Sequence, residues 1–99
     1  MTASSIEDFE NTFAGVMRQP HAIAFAYARH ALSLIVRGLG LCAGDEVVLS
    51  PLTCRVVPLA LLSAGVRPVF ADISADHLNL EGAGVERVWS PRTRAILFQ

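Results

Sequence analysis

Apolar residues at Ile6, Phe9, Phe13 and Val16, with Met17 beside them, recur at intervals of three and four. That spacing predicts a helix over Ser5–Arg18 with one apolar face. Ser5 followed by Asp8 resembles a capping pair, Glu7 and Asp8 fall in the first turn, and Arg18 falls in the last. After Pro20, the run His21–Tyr27 (HAIAFAY) reads as a short apolar strand, and Ala28–Leu39 as a second helix with Leu32, Ile35, Val36 and Leu39 on one side. Gly40 ends it. The β-branched run Glu46–Leu49 (EVVL) predicts a strand buried on both faces.

The same pattern continues to the end of the chain. Arg55–Ala64 reads as a third helix stopped by Gly65, with Pro58 tolerated because it falls near the helix start. PVFAD, within Val66–Asp72, reads as a strand. Asn79 is placed to cap a short helix through about Trp89, which is weakened by Gly82 and Gly84 and lets Trp89 pack on the sheet. Arg94–Phe98 (RAILF) is the fourth strand. One helix followed by strand–helix three times and a last strand predicts an α/β fold, a mainly parallel sheet with helices packed around it. The division is an N-terminal helix over residues 1–20 and an α/β unit over residues 21–99. Because RAILF is followed by no helix to cover its far side, the chain reads as a truncated domain whose open apolar face favours association.

Composition narrows the function. The 99 residues carry eight basic and nine acidic side chains, a formal net charge of −1, with no basic tract, which argues against nucleic-acid binding. The longest uncharged stretch tested, Val56–Val66, is far below the roughly 20 residues of a membrane span. The polar, acidic N-terminus is not a secretory or transit signal. Cys42 and Cys54 lie apart without a CxxC pair, which disfavours a disulfide framework and points to a reducing cytoplasm. His21, His30 and His77 are scattered, so no metal site is expected.

Candidate chemistry lies at the expected strand-to-helix turns. A helix starting at Ala28 straight off a strand would present unpaired amides and its positive dipole end at the carboxyl edge of the sheet, where phosphates bind. Arg29 adds a charge suited to phosphate or carboxylate, although an exposed arginine there could equally pair with an acidic neighbour. Thr53 and Cys54, after EVVL, would face the same crevice. Thr53 could instead cap the third helix, and Cys54 could be a small buried residue rather than a reactive thiol. Asp72 either starts a turn or faces a ligand. GLGLCAG (Gly38–Gly44) is not a dinucleotide fingerprint, because it follows a helix and precedes a strand. All eight basic residues are arginine; lysine is absent.

In order and spacing, several stretches resemble the DegT/DnrJ/StrS family of pyridoxal-phosphate-dependent sugar aminotransferases. They are Ala31-Leu32, GDEVV (Gly44–Val48), PLTC with Thr53, AGVRPVFADI (Ala64–Ile73), Asn79-Leu80 and PRTRAI (Pro91–Ile96), and the resemblance runs from Ile23 to Gln99. It implies the N-terminal part of a fold-type-I large domain, with pyridoxal 5'-phosphate (PLP) as cofactor. The implied substrates are a keto-sugar nucleotide and an amino-acid donor, and the implied full-length assembly is a homodimer. It also implies that Ala28-Arg29 hold the cofactor phosphate and that Thr53-Cys54 lie against the pyridine ring. Two positions depart from the family pattern: its usual Gly-Thr is Ala28-Arg29 here, and its usual stacking aromatic is Cys54, which cannot stack. PLP catalysis needs a lysine for its Schiff base. These residues therefore supply no catalytic group, and alone are expected to be inactive. Two alternatives stay open: another fold-type-I enzyme acting on amino acids, and a non-catalytic remnant or interaction module.

Overall fold

The computed structural model describes residues 3–99, with side chains from residue 5 onward. Helix α1 spans Ala3–Val16, so Ser5 and Asp8 lie inside the helix rather than at its cap, and Arg18 lies beyond its last turn. The Gln19 amide donates to the Ala14 carbonyl at 2.9 Å and the Arg18 amide to Gly15 at 3.1 Å. This is the Schellman closure, in which the residue after the C-cap turns left-handed. Arg18 takes that conformation at φ 53°.

The strand expected over His21–Tyr27 is not formed. Strand β1 (Glu46–Leu49) is paired on both sides, by β2 (Arg67–Phe70) and β3 (Thr93–Leu97), in the order β2-β1-β3. A strand exists only through a neighbour's ladder, and residues 21–27 lie elsewhere. Their Ala24 amide donates instead to the Glu10 carboxylate at 2.7 Å. Ile23 and Ala24 share a cavity with Phe9, Phe13 and Met17 of α1. Three strands among the described residues therefore stand where four were expected.

Helix α2 covers Ala28–Gly38 and α3 covers Val56–Ser63, each slightly shorter than the periodicity predicts. Both close with the same Schellman pair. Leu41 bonds to Val36 and Gly40 to Arg37 after α2; Val66 bonds to Leu61 and Gly65 to Leu62 after α3. Gly40 (φ 71°) and Gly65 (φ 87°) supply the left-handed residue. Helix α4 is short, Gly82–Val88, with Glu81 at its N-cap. Asn79 does not cap it. The Asn79 side-chain oxygen accepts from the Leu80 amide at 2.9 Å, and its nitrogen donates to the Gln99 carbonyl at 2.8 Å.

Both sheet ladders are parallel, with Val48 opposite Val69 on one side and Ile96 on the other. The α/β expectation holds. Alternate residues of β1 serve opposite faces, which is why all four are buried. Val47 and Leu49 join Val36, Leu61 and Val66 beneath α2 and α3, while Val48 joins Ala71 and Leu80 beneath α4. Full burial of Leu49 and Leu61 contributes about 1.5–3 kcal/mol each. Pro68 is compatible with β2 because that strand is an edge: the Arg67 amide donates to Asp45, just ahead of β1, and the Ala71 amide to Leu49, so the proline ring nitrogen faces outward. Trp89 does not pack on the sheet. It follows α4 in an extended conformation and is 56% exposed.

Candidate cofactor-binding site

The start of α2 carries no cap of its own. Tyr27 stands at the N-cap in extended conformation (φ −140°, ψ 140°) without a side-chain hydrogen bond to the helix. Small polar residues normally fill this place because their oxygens accept from the first amides. Here the first amides bonded back to the Tyr27 carbonyl are those of His30 (3.0 Å) and Ala31 (3.4 Å), which leaves the Ala28 and Arg29 amides without a backbone acceptor. No acidic side chain occupies the first turn. The positive end of the helix dipole thus coincides with the Arg29 charge, an arrangement that an anion would relieve.

This helix start opens at the carboxyl edge of the sheet. A cavity of about 210 Å³ is lined by Ala28 and Arg29 of α2, Val56 and Val57 of α3, and Leu97 and Gln99 at the end of β3. Arg29 also borders the groove between α2 and α3, beside His30 and Ser33. Ala28 and Arg29 are therefore adjacent to the start of α3, although no strand precedes them.

Thr53 and Cys54 lie in the connection from β1 to α3, just ahead of Val56, and neither lines that cavity. Thr53 does not cap α3, whose N-cap is Arg55, without a side-chain bond. Its hydroxyl is buried and has no hydrogen-bond partner. An unpaired buried hydroxyl costs free energy that a ligand could recover. Cys54 is exposed with a free thiol, not the buried small residue considered from the sequence.

Other polar groups lie apart from this edge. Asp72 is exposed, its carboxylate 3.6 Å from the Arg87 guanidinium. His77 faces Glu81 at 3.6 Å, and no group of three or more metal-ligating side chains occurs among the described residues. Glu46, at the amino end of β1, is buried and accepts from the Ser90 hydroxyl at 2.8 Å. Asp45 accepts from the Cys42 amide at 2.9 Å, which holds its carboxyl below the usual carboxylate range. The Cys42 thiol also donates to Asp45 at 3.5 Å and is pushed up by that bond.

Sequence reasoning missed one feature of the site, the contact of Tyr27 with Arg29. The guanidinium carbon lies 4.2 Å from the Tyr27 ring centroid, and the His30 ring meets the same tyrosine edge-on at 5.5 Å. An aromatic residue two places ahead of an arginine at a helix start was its signal.

A parallel sheet flanked by helices, with an uncapped helix start at its carboxyl edge, defines an α/β protein. Comparison makes the assignment specific: a model of the DegT/DnrJ/EryC1/StrS aminotransferase family matches residues 1–98, and the chain belongs to that family. It is 38% identical over 92 residues to the dTDP-3-amino-3,4,6-trideoxy-alpha-D-glucose transaminase of Streptomyces venezuelae, covering 93% of this chain and 24% of that protein. It is 36% identical over 92 residues to the spore coat polysaccharide biosynthesis protein SpsC of Bacillus subtilis (strain 168), with the same coverage. Among solved structures, it superposes with a TM-score of 0.90 on Spr1654 of Streptococcus pneumoniae, classed as a sugar aminotransferase and captured in its PLP form. That match has 26% identity and covers 96% of this chain and 24% of the other. The chain thus spans about a quarter of the length of the curated relatives it matches. Among the described residues, no helix is long and apolar enough to cross a membrane.

Proposed function

We propose that these residues form the phosphate-holding quarter of a PLP-dependent aminotransferase that transfers an amino group from an amino-acid donor to a keto-sugar nucleotide. The family match over residues 1–98 carries the reading, and the uncapped start of α2 is the local geometry that supports it. In this reading residues 1–20 are an N-terminal helix and residues 21–99 belong to the cofactor-binding large domain. The complete protein is cytoplasmic and homodimeric, in keeping with two free cysteines and with what the family resemblance implies.

The residues present fit a phosphate. The Ala28 and Arg29 amides would donate to its oxygens and the Arg29 guanidinium would neutralise its charge, while Thr53, in the β1–α3 connection outside that cavity, would lie toward the pyridine ring as the family resemblance implies. When bound, PLP would supply the electron sink that amino-group transfer requires. Cys54 offers no face on which a ring could stack, so support for the ring comes from other residues. No side-chain amine is present among the 99 residues to hold the cofactor covalently, so that group is contributed from outside them.

The test is to incubate the complete protein with PLP, L-glutamate and a panel of keto-sugar nucleotides, and to follow the amino-sugar nucleotide by mass spectrometry. Amination of a nucleotide sugar is expected. Amination of α-keto acids alone would move the protein to the amino-acid class, and absence of PLP binding would overturn the proposal.

A further inference from the structure

The contact between Tyr27 and Arg29 is not explained by burial or by capping. Tyr27 is 55% exposed, Arg29 is exposed as well, and the tyrosine makes no side-chain hydrogen bond to the helix. What the tyrosine provides is a ring face. With its carbon 4.2 Å from the centroid, the Arg29 guanidinium is within cation–π range of that face. The His30 ring meets the same tyrosine edge-on at an interplanar angle of 82°, an arrangement that aromatic pairs favour.

No ion pair fixes the head of Arg29 among the described residues. The five N–H donors of a guanidinium lie in its own plane. Contact through the ring face therefore leaves the edge donors unspent, on a residue whose own amide, like that of Ala28, lacks a backbone acceptor. An unrestrained arginine would lose its rotamer freedom when it gripped an anion. One already held on a ring has given up part of that freedom beforehand.

We infer that Tyr27 is a positioning residue for the anion site at the start of α2, holding Arg29 for a phosphate monoester. The inference rests on the cofactor reading above, and it assigns the role to the ring rather than to the phenol. It also gives the departure at Arg29 a physical sense, because a charge on a long side chain replaces a short hydroxyl only if something holds it in place.

The test uses the complete protein, titrated by fluorescence with PLP and, separately, with pyridoxal, which lacks the phosphate. Tyr27→Leu weakens PLP binding about 2- to 5-fold and leaves pyridoxal binding unchanged. Tyr27→Phe, which keeps the ring, binds PLP as the wild type does. In an Arg29→Ala background, Tyr27→Leu has no further effect. Wild-type PLP affinity in Tyr27→Leu, loss in Tyr27→Phe, equal loss of pyridoxal affinity, or a loss that persists without Arg29 would each overturn the inference while leaving the cofactor reading intact. A wild type that binds PLP no better than pyridoxal would overturn the phosphate cradle itself, and the positioning role with it.

Discussion

Gly84 of α4 lies against the backbone of Asp72 so closely that a Cβ built on the glycine would stand 2.5 Å from the Asp72 carbonyl oxygen. That carbonyl belongs to the backbone just beyond β2 and has little room to yield. Gly84→Ala should therefore lift α4 from the sheet and expose Val85 and Val88, which pack on the Val48–Ala71–Leu80 cluster. The expected cost is about 1–3 kcal/mol, read as a lowered denaturant midpoint. Gly82→Ala, which meets nothing within 4 Å, serves as the control.

Arg18 should respond in the opposite sense. Its left-handed backbone, φ 53°, suits glycine far better than a residue with a Cβ. Arg18→Gly is expected to stabilise the end of α1 by about 0.5–1 kcal/mol. Slower amide exchange at Arg18 and Gln19, the donors of that closure, would report it.

Thr53 separates stability from binding. Its buried hydroxyl has no partner, so Thr53→Val should stabilise the ligand-free protein by about 1 kcal/mol. If the hydroxyl serves the cofactor, the same change should weaken PLP binding by roughly tenfold. Thermal melts with and without PLP measure the two effects together, and a substitution that lowers stability without PLP would refute the unpaired state.

The Asp45 turn should be sensitive to acid. Its carboxyl is held low, first by the Cys42 amide. A depressed pKa in the folded state gives stability that is complete above the unfolded value and lost as pH falls through the folded one. Asp45→Asn should flatten that part of the acid melting profile. Because Asp45 also keeps the Cys42 thiol protonated, the same variant should speed alkylation of Cys42 at mildly alkaline pH. Mass spectrometry of labelled peptides would show it, with Cys54 as the internal reference.

How far the sequence could be read depended on whether a signal was local. EVVL announced β1 to the residue because a strand covered on both faces needs consecutive apolar side chains, supplied here by Val47, Val48 and Leu49, whatever its neighbours are. Gly40 and Gly65 marked two helix ends because the left-handed closure needs glycine or a strained substitute. HAIAFAY misled for the converse reason: its alternation suits a strand, yet only pairing at a sheet edge could have made it one, and residues 21–27 pack against α1 instead, with the Ala24 amide held by Glu10. Asn79 and Thr53 looked like caps because their type fits the role. Whether either fills it depends on where the next helix begins, by a margin of one or two residues. At the candidate site, the arginine at the helix start was legible as chemistry, whereas the tyrosine that supports it was hidden inside a run read as a strand.

Among the described residues, neither core cluster draws on a position ahead of Leu32. The opening stretch is thus held chiefly to itself, through the Ala24 amide on Glu10, rather than by a share in the sheet's interior. Evolution, or an engineer, could swap α1 and its trailing segment for an unrelated recognition element without disturbing the registration of the strands. What such a graft would put at risk is the aromatic prop beneath Arg29, since Tyr27 is the last residue of the exchangeable part.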